Sequence, residues 1–214
     1  MIISILNQKG GTGKTTLAVN IVREYHLRKY RSLLVDSDSQ GSALRWHELS
    51  EGELIDLTCL PVTTMDKDIL KFTDSYHRII IDGIPSMCRL TACAVKAADL
   101  VLIPVQPSPY DIWATEDLVR LVKERIEMTE GKLKVAFVVT RKIKGTNIGK
   151  EIYSQLSEHG FPIFTSGTTQ LVTYPVSASR GLTVMEDEHK GSENAAKEIR
   201  SIVDEIEVFA NGSN

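Results

Sequence analysis

Ile2-Ile3-Ser4-Ile5-Leu6-Asn7-Gln8-Lys9-Gly10-Gly11-Thr12-Gly13-Lys14-Thr15-Thr16 decides how the rest of the 214-residue sequence is read. Residues 2–6 form an apolar run suited to a buried strand, a glycine-rich turn follows, and apolar residues at helical spacing begin near Lys14. In that order, the backbone N–H groups of the turn and the positive end of the helix converge on one spot, which suits a phosphate. Gly10, Gly11, Thr12 and Gly13 would line the cradle. Lys14 is placed to reach β and γ phosphates, Thr15 to put its hydroxyl on Mg²⁺, and Thr16 to donate to an α phosphate, which together describe a site for Mg-ATP. A glycine-rich turn without a ligand is the plainer alternative, but the strand, turn and helix that the motif requires are all present. The standard pattern GxxxxGK[ST] would put glycine at position 8. This chain has Gln8 there, followed by an additional lysine, Lys9.

Outward from this stretch, strand-like runs at residues 32–35, 79–81, 100–105 and 134–139 alternate with helical patterns at 14–29, 89–98, 112–128 and 145–159. Alternation of this kind predicts an α/β fold: one doubly wound, mostly parallel sheet with helices on both faces. No linker, repeat or low-complexity tract interrupts it, so residues 1–210 read as a single domain and the polar residues 211–214 as a tail that frays.

Two acidic elements follow strands. Asp36-Ser37-Asp38-Ser39-Gln40 stands at the carboxyl end of the second strand, where open α/β sheets bind ligands, although Asp and Ser would also cap a helix from Gln40. Arg78-Ile79-Ile80-Ile81-Asp82-Gly83 is an apolar strand ending in a carboxylate, the form of a Walker B element, in which Asp82 holds Mg²⁺ directly or through water. Beyond the strand at 100–105, Pro104, Pro107 and Pro109 stiffen the connection to Asp111, which would cap a helix from Ile112.

Composition narrows the class. A formal net charge of -3 gives no global basic footprint, so any nucleic-acid contact must come from a local patch. Cys59, Cys88 and Cys93 form no CxxC pair and read as buried or helical thiols. With no apolar run of spanning length and no charged leader, a cytoplasmic protein is expected. The terminal segment 197–209 is amphipathic but acidic at its end, which reads as a packed helix and not as a membrane anchor.

The KGGxGK[ST]T form at Lys9–Thr16 resembles the deviant Walker A box of the ParA/MinD family of ATPases, and the short ParA-type plasmid-partition members in particular. The resemblance spans nearly the whole chain and is sharpest over residues 1–45 and 77–111. It implies ATP hydrolysis in a homodimer closed by ATP, with Lys9 crossing to the partner's nucleotide as an arginine finger would. Asp36-Ser37-Asp38-Ser39-Gln40 resembles the family's D-x-D-P-Q element, with Ser39 in place of proline. By that match Asp38 orients the attacking water and Asp36 supports the Mg²⁺ shell. The proline-rich connection resembles the family's switch at the dimer interface, which adds Asp111 to the nucleotide-site residues, and Gly83 and Ile84 would sense the γ phosphate. The segments 139–143 and 170–184 resemble the region before the adenine site and a late segment with basic DNA contacts, giving Arg141, Lys142, Lys144, Lys150 and Arg180 as candidates for sequence-neutral DNA binding. The implied partners are non-specific DNA in the nucleoid and a ParB- or ParG-like centromere-binding adaptor. A MinD-like membrane ATPase, or a positioner of a carboxysome or chemoreceptor cluster, is the alternative. An iron–sulfur reductase on the same scaffold would need cysteine ligands that Cys88 and Cys93 do not match.

Overall fold

The computed structural model describes residues 1–143 and 148–212, with the side chains of 148–151 set aside. In chain order the elements are β1 (Ile2–Ile5), α1 (Lys14–Leu27), β2 (Ser32–Asp36), α2 (Ser42–Leu49), β3 (Asp56–Cys59), α3 (Met65–Asp68) with a 3₁₀ turn (Ile69–Phe72), β4 (Arg78–Asp82), α4 (Arg89–Ala97) and β5 (Leu100–Val105). There follow α5 (Pro109–Trp113), α6 (Glu116–Met128), β6 (Lys134–Lys142), α7 (Ile148–Ser157), β7 (Ile163–Thr169), α8 (Thr173–Ala178) and α9 (Ser192–Asn211). Among the described residues seven strands form one parallel sheet in the order β3-β2-β4-β1-β5-β6-β7.

The central strands carry apolar side chains on both faces, so both faces must be covered. On one face Ile3, Ile5, Leu34, Ile80, Leu102 and Val138 pack against Leu17, Ile21, Val22 and Tyr25 of α1 and Ile199, Ile202 and Ile206 of α9. On the other, Ile2, Leu33, Ile79, Ile81, Val101 and Phe137 pack against α4, α6 and α7 through Val95, Leu118, Val122, Ile152 and Leu156. Each such large side chain taken fully out of water contributes about 1.5–3 kcal/mol. The parallel doubly wound sheet predicted from the alternation is therefore the observed architecture.

Edges and boundaries depart from the expectation. β3 and β7 escape notice because they lack the buried apolar run of the centre: β3 is half-exposed along its length, and β7 reads IFTSGTT with Phe164 and Thr168 its buried residues. Edge amides of β7 are satisfied by α9, since Glu205 accepts from Thr165 N and Ser166 N at 2.8 and 2.9 Å and Glu198 from Thr169 N at 3.1 Å. That removes a pairing edge and fixes the terminal helix in place. The expected 112–128 helix is two helices, broken where the buried Thr115 hydroxyl donates to Ile112 O at 2.7 Å. The helix expected from Gln40 starts at Ser42, because Gly41 takes the left-handed N-cap position with φ 64°. Asn211, assigned to the tail, is the last residue of α9, and Lys134 Nζ caps the end of that helix by donating to Phe209 O, Ala210 O and Gly212 O at 3.0, 2.9 and 2.7 Å. Cys93 is buried in α4, but Cys59 and Cys88 are exposed, on an edge strand and at a helix N-cap.

Register is what assembles the site. Asp82 stands opposite both Ile5 of β1 and Asp36 of β2, so the glycine-rich turn and both acidic elements leave the sheet together at the carboxyl ends of these strands.

Candidate functional site

Gly11 and Gly13 have φ of 77° and 93°, a conformation that disfavours any residue with a Cβ. Gly13 is the N-cap of α1 and supplies no capping side chain, which leaves first-turn N–H groups turned to the cradle. Neighbouring strands pin the turn. Asn7 Nδ2 donates to Pro104 O at 2.8 Å while Asn7 Oδ1 accepts from Lys9 N at 2.9 Å, Gln106 Nε2 donates to Gly11 O at 2.7 Å, and Thr140 Oγ1 donates to Thr12 O at 2.9 Å. Sequence reading missed Asn7, Gln106 and Thr140, since their role depends on which strands flank β1. Lys14 is buried, with Nζ donating to Lys9 O at 2.9 Å; burial lowers its pKa, against the raising effect of Asp82 and Asp38.

The three carboxylates differ. Asp36 accepts Asp38 N on Oδ1 and Leu44 N on Oδ2, each at 3.0 Å, so it fastens its loop to the start of α2. Its pKa is raised by burial, against those backbone hydrogen bonds. Asp82 is fully buried, its Oδ1 has no hydrogen-bond partner, and burial pushes its pKa up to about 7, with the Thr15 hydroxyl opposing and the charge of Asp36 adding to the rise. Asp38 keeps a half-exposed carboxylate whose Oδ1 accepts Gln40 N at 2.9 Å. It lines a pocket of about 210 Å³ together with Gly10, Gly11, Gly13, Lys14, Thr15, Thr16, Gly83 and Arg141. Gly83 is obligatory by close approach: a Cβ there would collide with Leu6 Cδ2 and lie 2.8 Å from Ile5 O.

Lys9 leaves this pocket. Its Nζ lies 2.6 Å from Asp111 Oδ2, an ion pair with one half-exposed and one buried partner, and Asp111 Oδ1 is buried without a partner. Asp111 is not the cap expected of it: α5 begins at Pro109 with Ser108 at the N-cap, so Asp111 lies inside the first turn. The structure thus brings Asp111 to Lys9.

The basic candidates among the described residues have different surroundings. Arg141 is on the pocket wall, Lys142 Nζ donates to Thr165 O at 3.4 Å, and Arg180 pairs with Asp187 at 3.4 Å. Lys144 and the side chain of Lys150 lie outside the described residues. A second cavity of about 780 Å³ adjoins the phosphate-sized one; Gly13, Thr15, Thr16, Ser42 and Arg141 line both, and Asn20, Trp46, Leu171, Tyr174 and Pro175 help to close it. Its size and mixed apolar lining suit a small organic ligand.

Residues 3–181 match the sequence profile of the CobQ/CobB/MinD/ParA nucleotide binding domain. The chain belongs to that family. The ParA/MinD resemblance drawn from the deviant Walker A turn is thereby shown. Among known proteins, this family member is 29% identical over 210 residues to maintenance of carboxysome distribution protein A of Halothiobacillus neapolitanus, covering 95% of each chain. It is 26% identical over 237 aligned positions to the chromosome-partitioning ATPase Soj of Thermus thermophilus, covering 95% of this chain and 94% of that protein. Of solved structures, apo McdA of Cyanothece superposes with a TM-score of 0.78 at 15% identity over 99% of both chains. The septum site-determining protein MinD of Pyrococcus horikoshii, complexed with Mg-ADP, superposes with a TM-score of 0.73 at 16% identity over 98% of this chain and 97% of that one. Both share the fold.

Proposed function

We propose that the chain is a Mg-ATP-dependent positioning ATPase: it closes as a homodimer on ATP, binds non-specific DNA in that state, and hydrolyses ATP when an adaptor protein on its cargo stimulates it. The observation that carries this reading is the wall shared by Lys14, Thr15, Asp38 and Gly83, backed by an Asp82 whose Oδ1 is buried and unpaired.

The unpaired Oδ1 of Asp82, on a carboxyl group that the Thr15 hydroxyl also meets, fits a divalent cation, since the missing partner is a positive charge or a water bound to one. Thr15 and Asp82 would hold Mg²⁺, and Asp36, tied down by backbone N–H groups, would support them. When bound, Mg²⁺ neutralises charge on the β and γ phosphates. Lys14 and the open N–H groups of the turn bind the phosphates, and Asp38, free to turn into the pocket, orients the attacking water. Lys9, held away from its own pocket by Asp111, is the residue available to a partner's nucleotide. Chemistry of this kind needs positioning and charge more than a strong base.

Similarity to Soj supports a DNA cargo, a plasmid or chromosome recognised through a ParB- or ParG-like centromere-binding adaptor. Similarity to the carboxysome distribution protein equally supports a protein assembly moved over the nucleoid. On either reading the protein would act in the cytoplasm on nucleoid DNA. No described helix is long and apolar enough to cross a membrane, and the apolar face of α9 is spent on α1 and the sheet.

The test is binding to a non-specific DNA duplex at fixed low salt with ATP or ADP, using Asp38→Ala to hold the ATP state. Binding with ATP alone that weakens steeply as salt rises supports the reading. Equal absence of binding in both states removes the DNA step and leaves an ATPase to be tested against other surfaces.

A further inference from the structure

Arg141, a DNA-contact candidate from the sequence, is an exposed residue that also lines the phosphate-sized pocket. It lies near the carboxyl end of β6 with φ 52°, a left-handed conformation that residues with a Cβ adopt at a cost. Here the pairing of β6 with β7 is irregular, with register shifts between Phe137 and Val139 and again between Val139 and Lys142. Irregularities of this kind re-aim a side chain at a strand end. The preceding residue, Thr140, is fixed to the glycine-rich turn through Thr12 O. The backbone N–H of Arg141 is held by the Thr168 hydroxyl at 3.2 Å, and among the described residues no carboxylate pairs with its guanidinium. Lys142 and Arg180, by contrast, are engaged with Thr165 and Asp187. Arg141 lines both the phosphate-sized pocket and the larger cavity, so it stands where the two meet.

We infer that Arg141 is a nucleotide-binding residue whose guanidinium contacts a phosphate of the bound nucleoside di- or triphosphate at the junction with the nucleoside cavity, and that it is not a DNA contact. This rests on the ATPase reading above. The chemistry fits the position: a guanidinium is always charged and offers a rigid fork of donors to phosphate oxygens. Its strained backbone is the local price of facing the pocket, because an extended residue at this point would follow the alternation of β6.

The experiment compares wild type, Arg141→Ala, Arg141→Lys and Arg141→Gly by calorimetric titration with ADP and Mg²⁺, by thermal unfolding without nucleotide, and by duplex DNA binding at saturating ATP. Arg141→Ala is expected to weaken ADP binding about tenfold or more, the loss typical of a hydrogen bond to a charged group, with Arg141→Lys recovering part of it. Arg141→Gly relieves the left-handed strain, so it should hold or raise the melting temperature while binding ADP as weakly as the alanine variant; it also supplies the answer if the alanine variant folds poorly. The DNA that binds at saturating ATP should show the wild-type salt slope, since no DNA phosphate contact is lost. Unchanged ADP affinity in the variants overturns the inference, as does normal ADP binding with a DNA salt slope reduced by about one, which returns Arg141 to the DNA surface. Wild-type protein that binds no ADP removes the ATPase reading and this inference together, whereas wild-type binding with unaltered variants removes the inference alone.

Discussion

Lys9 and Asp111, 102 positions apart in the chain, meet in a 2.6 Å ion pair that ties the start of the glycine-rich turn to the first turn of α5. Removing the lysine leaves a buried carboxylate with no cation, so Lys9→Ala is expected to destabilise the ligand-free protein by about 1–3 kcal/mol, at the low end because Lys9 is part exposed. Asp111→Asn should cost less, and Lys9→Ala combined with Asp111→Asn should recover much of the loss. Urea unfolding of the four proteins gives the coupling; additive losses would show that the pair contributes nothing. The same Lys9→Ala variant should still bind nucleotide but lose dimer-dependent turnover, and turnover at the wild-type rate would return Lys9 to the status of a loop charge.

Asp38 is the pocket carboxylate with a side chain exposed enough to move, and its Oδ1 hydrogen bond is to Gln40 N within its own turn. Asp38→Ala is expected to bind ATP, accumulate as a dimer in sedimentation, and lose about a hundredfold or more in turnover. Normal hydrolysis by this variant would take the water-positioning role away from Asp38.

Asp82 predicts a pH dependence. Its pKa rises from an ordinary 3.8 to about 7 on folding, chiefly by burial. A carboxyl raised in this way favours its protonated form in the native state, so native protein binds more protons than unfolded protein between these values and stability falls as pH climbs through them. The penalty is absent below about pH 4 and fully present above about pH 7. Asp82→Asn should therefore match wild type in acid and exceed it in stability at pH 8 by about 1–3 kcal/mol when no nucleotide is present, while losing Mg²⁺-dependent turnover. Melting temperatures of both proteins from pH 4 to 8 without Mg²⁺ check this, and parallel curves would contradict it.

Gly83 follows Asp82 where β4 passes β1, and its N–H donates to Ile5 O at 3.1 Å. Gly83→Ala would press a methyl group onto Leu6 and the Ile5 carbonyl. An overpacking loss of about 1–3 kcal/mol is expected, together with weaker ADP binding, because the strand carrying Asp82 would be pushed from the strand feeding the turn. Calorimetric unfolding and titration measure both; wild-type values in each would mean the strands part without consequence.

The central sheet was legible because its strands are buried on both faces and so read as unbroken apolar runs, as in Ile79-Ile80-Ile81. The edges were not, since an edge strand such as β7 is half-exposed and stabilised by Glu198 and Glu205 from α9, contacts about thirty to forty residues distant. The phosphate cradle was legible for a related reason. Its residues are adjacent in the chain, and local backbone geometry at Gly11 and Gly13 already sets its shape.

By itself, then, the sequence determined the glycine-rich turn, the acidic strand ends, the parallel α/β class and the family to which they belong, because each depends on short-range spacing or on periodicity. The tertiary structure alone decided which charges face one another. It set Asp82 beside Asp36 through strand register, drew Lys9 to Asp111 and out of its own pocket, and put Arg141 on the pocket wall where the pairing of β6 and β7 is irregular. Those outcomes depend on strand order and on packing across the sheet, which join residues far apart in the chain and leave no periodic trace in it.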